Sequence, residues 1–140
     1  MADFLTAFKR RLPIEGGWEN DATDSGCWTL GDTLGAGHGV NIGTNMGVCA
    51  YELSAYLGRT ATESDMKNLS SATAAAIFKK NYWDKFRGDE IINQNIANDI
   101  YDATVNQGLI TGIKQAQRAA GLPVTGSMDN TTLNYLNTLL

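Results

Sequence analysis

Apolar residues recur at helical spacing at both ends of the chain and lose that spacing in between. Phe4, Leu5, Phe8 and Leu12 return every three or four positions, which predicts an amphipathic helix over residues 3 to about 14. Pro13 weakens its last turn, and Gly16 and Gly17 end it. Glu15 therefore falls at the C-terminal edge of the helix, carried by a packed element and facing whatever follows. From Cys49 onward the helical spacing returns. CAYELSAYLG reads as a helix closed by Gly58, and a serine cap near Ser70 or Ser71 opens a helix that runs to about Tyr82. In NQNIANDIYDATVNQG, Ile96, Ile100 and Ala103 share one face, while Asp99, Asp102 and Asn106 line another. TGIKQAQRAAG turns Ile113, Ala116 and Ala120 inward. LPVTGSMDN is a turn around Pro123 and Gly126, and the last helix offers Leu133, Leu136 and Leu140.

Between these helices, residues 18 to 48 carry glycine at 26, 31, 35, 37, 39, 43 and 47, too often for a helix. The short extended runs CWTLG and GVNIG predict a small hairpin or β-ribbon. Roughly thirty residues of loop-like sequence inside a compact domain are usually functional or disordered. Trp18 and Trp28 argue against disorder, because large indoles order by burial. The expected class is mainly α, with a glycine-rich loop and hairpin region near the N-terminus.

Bulk properties narrow the function. At 140 residues the chain is expected to be one domain with a real core. Its net charge of −4 gives no phosphate-binding field, so nucleic acid is not an expected partner. No apolar run reaches membrane-spanning length, and no polybasic face suits anionic lipid, so no membrane insertion is expected. The N-terminal segment does not read as a secretory signal, because its charges follow the apolar residues. The expectation is a monomer made in the cytoplasm that reaches any outside target only after release. Cys27 and Cys49 read as reduced thiols, with a loop-closing disulfide as the alternative. Cys27, His38 and Cys49 are too few, and their spacing wrong, for zinc, so neither metal nor other cofactor is expected.

The chemistry concentrates in IEGGWENDATDSGCWTLG. A glycosidase needs a general acid that keeps its proton until the bond breaks, and often a second carboxylate. Glu15 suits the first role, because the partial negative charge of a helix C-terminus disfavours a carboxylate there. Asp24, nine residues on, is the candidate second carboxylate, with Asp21 and Glu19 as rivals. Trp18 and Trp28 suit sugar faces. The bland alternative is that the acids form turns and Glu15 is a solvated helix-end residue. A thiol hydrolase built from Cys27 or Cys49 with His38 competes, although no Arg or Lys lies between residues 12 and 58 to activate a thiolate. GDTLGAGHG lacks the spacing of a nucleotide-binding loop. Asp102 and Asn106 suit a polar brace facing a cleft. Tyr82 is a candidate sugar platform, although a core position competes.

Taken in order, EGGW, TNMGV, KKNYWDKFRGDEI, DIYDATVNQG and IKQAQRAAGLPVTGSMDNTTLNYLN resemble glycoside hydrolase family 108, the phage and prophage N-acetylmuramidases. The resemblance covers nearly the whole chain. It implies a lysozyme-like fold, with residues 1–88 as the catalytic part. Residues 89–140 form a helical peptidoglycan-binding-like part integrated with it. It implies cleavage of the β-1,4 bond between N-acetylmuramic acid and N-acetylglucosamine, glycan strands of peptidoglycan as partner, and Glu15 as general acid. A phage endolysin role follows from the same likeness. The family's threonine element matches Thr44 to Val48. The intervening CWTLGDTLGAGHGVNI instead resembles phage lysozymes of the Glu-Asp-Thr type, with Glu15, Asp24 and W-T-L-G at Trp28 to Gly31. Thr29 and Thr44 thus both stand as candidate active-site threonines. Trp18, Trp28, His38, Asn45, Tyr82, Asp102 and Asn106 are the candidate substrate contacts. A non-catalytic peptidoglycan-binding or secretion-related protein on the same fold is the competing expectation.

Overall fold

The computed structural model describes residues 1–139, so the expected role of Leu140 lies outside the described residues. The chain is mainly helical, in the order α1 (Phe4–Glu15), α2 (Gly31–Leu34), α3 (Ala50–Leu57), α4 (Glu63–Lys67), α5 (Ser71–Phe78), α6 (Gln94–Gln107), α7 (Leu109–Ala120) and α8 (Asn130–Leu136). A π-helical turn, Lys79–Trp83, continues α5, and short 3-10 turns occupy Ser25–Cys27 and Gly88–Glu90. Packing separates two compact units. Leu12–Ile77 form one, and Met1–Arg11 with the chain from Phe78 onward form the other. In the latter, aromatic residues between 78 and 86 pack with the first two turns of α1.

In that second unit, Phe4 meets Trp83 and Tyr101 edge-on, with ring centroids 5.6 and 5.9 Å apart, and Phe8 lies 6.1 Å from Phe78. Trp83 is fully buried, and its indole N–H donates to Asp89 Oδ1 at 2.8 Å, which satisfies the polar end of an otherwise apolar ring. One feature of α1 departs from its apolar pattern. Leu5 is exposed, and Arg11 is buried in its place. The Arg11 guanidinium reaches Asp102 Oδ1 at 3.3 Å and donates to Asn106 Oδ1 at 2.9 Å. Arg10 donates to the other oxygen of Asp102 at 2.6 Å. A buried arginine is tolerable only with such partners, so Asp102 and Asn106 form a brace that ties α1 to α6.

The unit Leu12–Ile77 is built around Ile42, Val48, Leu53 and Met66, each almost completely buried. The glycine-rich segment is ordered by sparse antiparallel pairing. Trp28 bridges Asn41, Thr29 N–H donates to Val40 O at 3.0 Å, and Ile42 N–H donates to Cys27 O at 2.9 Å. The expected ribbon of CWTLG against GVNIG is therefore present, with the single-turn α2 inserted between its arms. Its edges are too short to count as full strands. α3 ends at Gly58, whose φ of 71° gives the left-handed C-cap that glycine adopts without a β-carbon clash. α4 has no apolar periodicity to announce it. It is held by a reciprocal cap, in which Asp65 N–H donates to Thr62 Oγ1 at 3.1 Å and Thr62 N–H to Asp65 Oδ2 at 2.9 Å.

Candidate active site

Glu15 is the last residue of α1 and is half-buried. Pro13 sits inside the helix, whose end follows at Gly16 with a φ of 78°. Directly against Glu15 lies a tight hairpin. Asn45 and Val48 exchange both backbone hydrogen bonds, 3.3 and 2.8 Å, around Met46 and Gly47. Both central residues have positive φ, 50° and 78°, the pattern of a two-residue type I′ turn. A β-carbon placed on Gly47 would lie 2.5 Å from Glu15 Oε2 and 3.0 Å from Cδ. Glycine is favoured here by its backbone conformation, and a β-carbon would also displace the Glu15 carboxylate.

The hairpin is fixed on three sides. Glu19 and Thr44 form a mutual backbone bridge at 2.8 Å each way. Asn45, buried, donates its amide to Met66 O at 2.9 Å at the end of α4. Trp18 donates its indole N–H to Ile42 O at 3.1 Å, and its ring lies so near Gly43 that a β-carbon there would approach Nε1 to 2.8 Å. One face of the Trp18 ring carries the ammonium of Lys67, 4.5 Å from the centroid. Glu15, Trp18, Thr44 and Asn45 are therefore gathered around one seven-residue segment, Ile42 to Val48. Asn45 acts there through the buried backbone of α4.

The other sequence candidates are placed differently. Asp24 is exposed and caps the 3-10 turn Ser25–Cys27, its Oδ1 accepting from Gly26 N–H at 2.9 Å. Thr29 is buried, and its hydroxyl accepts from Val40 N–H at 2.9 Å, which pins the ribbon. Among the described residues, no side-chain hydrogen bond engages the half-buried Thr44 hydroxyl. Trp28 is half-buried, with its indole N–H on Ala22 O at 2.9 Å. His38 is exposed, and its carbonyl accepts from Leu30 N–H at 3.3 Å. Tyr82 stacks on Phe78 with centroids 5.7 Å apart. Asp102 and Asn106 serve the arginine brace described above. Asp21 accepts both the hydroxyl and the backbone N–H of Thr23, which holds its carboxyl below the usual range.

The thiols have no nucleophilic setting. Both are free. Burial first, then the Glu52 carboxylate, pushes the Cys49 thiol up to about 12. It is therefore protonated at neutral pH, and a thiol rather than a thiolate does not attack. The buried Cys27 Sγ instead accepts from Asp21 N–H at 3.4 Å. Among the described residues no group of three or more His, Cys, Asp or Glu side chains is arranged to hold a metal ion.

A largely helical fold, with an acid at the end of its first long helix facing a tight glycine hairpin, is that of the lysozyme-like class. The solved structure described as "Structure of Brucella abortus SagA" is similar to it, with a TM-score of 0.73 and 26% sequence identity over 98% of this chain and 70% of that chain. No curated protein matches the chain. Residues 8–108 match the family Glycosyl hydrolase 108, and the chain belongs to that family. At family level it is a glycosidase that acts on peptidoglycan. The match includes Glu15 and the whole Ile42–Val48 hairpin. Sequence reasoning missed two contributors to this site. Gly47 was visible only as one of many glycines, and Lys67 lies in a polar stretch with no motif.

Proposed function

We propose that the chain is an N-acetylmuramidase that cleaves the β-1,4 bond between N-acetylmuramic acid and N-acetylglucosamine, with Glu15 as general acid. The observation that carries this reading is the seating of the Glu15 carboxylate on Gly47. It fixes one carboxyl at a helix end against a rigid turn, as an acid must be fixed to meet a glycosidic oxygen. In the proposed reaction Glu15 donates its proton to that oxygen as the bond breaks, and the sugar acquires oxocarbenium character. A water on the opposite face then attacks. Thr44 is the better of the two threonines for holding that water, because the Thr29 hydroxyl is engaged by the ribbon. Asp24 remains the candidate second carboxylate, and its remaining acceptor capacity suits stabilising positive charge across the sugar. Trp18 provides the sugar platform. The likeness to phage N-acetylmuramidases supports a role in host lysis, with a monomer acting on the wall after release from the cytoplasm.

The test is mass spectrometry of soluble products from purified peptidoglycan, for wild type and Glu15→Gln. Muropeptides with reducing N-acetylmuramic acid ends from wild type alone are expected. Reducing N-acetylglucosamine ends would move the cleaved bond. Equal products from both proteins would remove Glu15 from the chemistry, and binding without products would favour a non-catalytic wall-binding protein.

A further inference from the structure

Glu15 and Asp24 are nine residues apart, and the backbone between them includes Gly16 and Gly17. Such a connection does not by itself fix how far apart two carboxylates stand. Contacts through space must set that distance. On the side of Glu15, the carboxylate meets Gly47, and the fully buried Val48 closes the hairpin onto Asn45. Cys49 follows directly, at the N-cap of α3. Its backbone N–H donates to the buried carboxylate of Glu52 at 3.0 Å, which holds this residue in place.

On the side of Asp24, the carboxylate accepts from Gly26 N–H in the turn Ser25–Cys27. One tie joins this turn to the hairpin segment through the backbone: Cys27 O accepts from Ile42 N–H at 2.9 Å and from Gly43 N–H at 3.3 Å. The other tie is the Cys49 thiol. A β-carbon on Gly26 would lie 3.1 Å from Cys49 Sγ and 3.3 Å from Asp24 Oδ1. The backbone of Gly26 lies outside the left-handed region, so its conformation does not demand glycine. The close approach of thiol and carboxylate does.

The two carboxylates of a glycosidase work at a defined separation, because that distance decides whether the second one reaches the sugar directly or through a water. We infer that Cys49 is a positioning residue: its thiol, set against Gly26, holds the turn that carries Asp24 at a fixed distance from the hairpin that supports Glu15. The inference goes beyond the muramidase reading and rests on Asp24 acting as its second carboxylate. It gives the half-buried thiol a mechanical task in a site where it has no nucleophilic one.

The experiment is turnover of purified peptidoglycan by Gly26→Ala, Gly26→Ala/Cys49→Ala, Asp24→Asn and Gly26→Ala/Asp24→Asn, with binding to intact sacculi measured alongside. Gly26→Ala is expected to lower kcat about tenfold, as a shift well under 1 Å in a reacting group does, and to leave binding unchanged. Adding Cys49→Ala vacates the space that the new methyl needs, so this double variant should regain most of the lost turnover. Asp24→Asn should itself lower kcat. Adding Gly26→Ala to it should lower kcat no further, because residues that act through one group are not additive. A merely structural defect would give an additive loss and no rescue by the smaller side chain. Should Gly26→Ala fold poorly, Cys49→Leu thickens the contact from the opposite side and is compared with Asp24→Asn in the same way. Wild-type turnover in Gly26→Ala, an equal loss with and without Asp24, or no rescue by Cys49→Ala overturns the inference. Wild-type turnover in Asp24→Asn also overturns it and leaves Glu15 as the acid. Absence of muropeptides from the wild type overturns the muramidase reading as well.

Discussion

Gly47 faces the carboxylate of Glu15 so closely that a β-carbon on it would push Oε2 aside. Replacing Gly47 by alanine forces a β-carbon to within 2.5 Å of Oε2 and also burdens a backbone φ of 78°. The conformational strain alone costs about 1 kcal/mol. The larger effect falls on the acid, because a displacement of about 1 Å in a reacting group can lower turnover about 100-fold. Gly47→Ala is therefore expected to lose about two orders of magnitude in kcat on purified peptidoglycan, while a thermal melt shows a shift of only a few degrees. A variant that keeps wild-type turnover would show that Glu15 does not depend on this contact.

Met46 is the neighbour that pays for the same turn. It sits at a φ of 50°, where a residue with a β-carbon is strained, and type I′ turns prefer Asn-Gly at these positions. Met46→Asn is expected to stabilise the protein by about 0.5 kcal/mol, the left-handed preference outweighing the lost half-buried side chain. Urea unfolding followed by circular dichroism measures this directly. A drop in stability would show that the Met46 side chain packs with more energy than its backbone costs.

Much of the fold could be read from residue spacing, and the reasons for the exceptions are specific. α1 followed from Phe4, Phe8 and the Gly16 stop, and the ribbon followed from two short extended runs between glycines. The burial of Arg11 was not readable, because it depends on Asp102 and Asn106, more than ninety residues away. α4 left its mark as Thr62-Glu63-Ser64-Asp65, a capping-box signal without the apolar run that usually accompanies it. The π-helical turn after α5, which ends at the buried Trp83, has no local code in the sequence. In the site, Glu15 was visible because a helix-end acid beside glycines is unusual. Its support was not, because Met46 occupies a position that local rules assign to asparagine or glycine.

Asp65 ties α4 to solvent pH. Hydrogen bonds from Arg59, then from Thr62 N–H, hold its carboxyl well below the usual carboxylate range. A depressed folded value means that the stabilisation is fully present above the unfolded value, about 4. It is lost as pH falls below that value and the native carboxylate finally protonates. Asp129, which caps α8 through Thr132, is depressed for the same reason and has the same sign. Melting temperatures measured between about pH 6 and pH 2 should fall less steeply in Asp65→Asn than in wild type. Parallel curves would show that the cap and ion pair form equally well without the charge.

Cys49 sets the opposite limb. Its thiol is raised to about 12, chiefly by burial and then by the Glu52 carboxylate, against an ordinary value of 9.0. For an acid held neutral in the native state, the stabilisation is complete below the unfolded value and disappears as pH rises from about 9 toward 12. Cys49→Ala should therefore flatten the alkaline decline in stability. At neutral pH the protonated thiol should react slowly with iodoacetamide in the folded protein, and the treated protein should keep its hydrolytic activity. Rapid alkylation with parallel loss of activity would revive a thiol-based mechanism.

Gln117 predicts a large effect far along the chain. It is fully buried, and its carbonyl accepts from the backbone N–H groups of Thr125 and Gly126 at 2.9 and 3.0 Å. Its amide nitrogen shares two N–H donors among three acceptors, Thr125 Oγ1 and Ser127 O at 2.9 Å each and Thr132 Oγ1 at 3.0 Å. One side chain thus supplies the hydrogen bonds that the VTGSM turn cannot make within itself. Gln117→Leu has similar volume but leaves those polar groups with no replacement, so unfolding free energy should fall by about 2–4 kcal/mol. Gln117→Glu keeps the one accepting oxygen but sets a buried charged oxygen against the Ser127 carbonyl, so at neutral pH it should be at least as unstable as the leucine variant. Chemical denaturation of the three proteins side by side gives the order. A leucine variant within about 0.5 kcal/mol of wild type would mean that water takes over these bonds and that the turn is held by packing of Met128 and Leu133 instead.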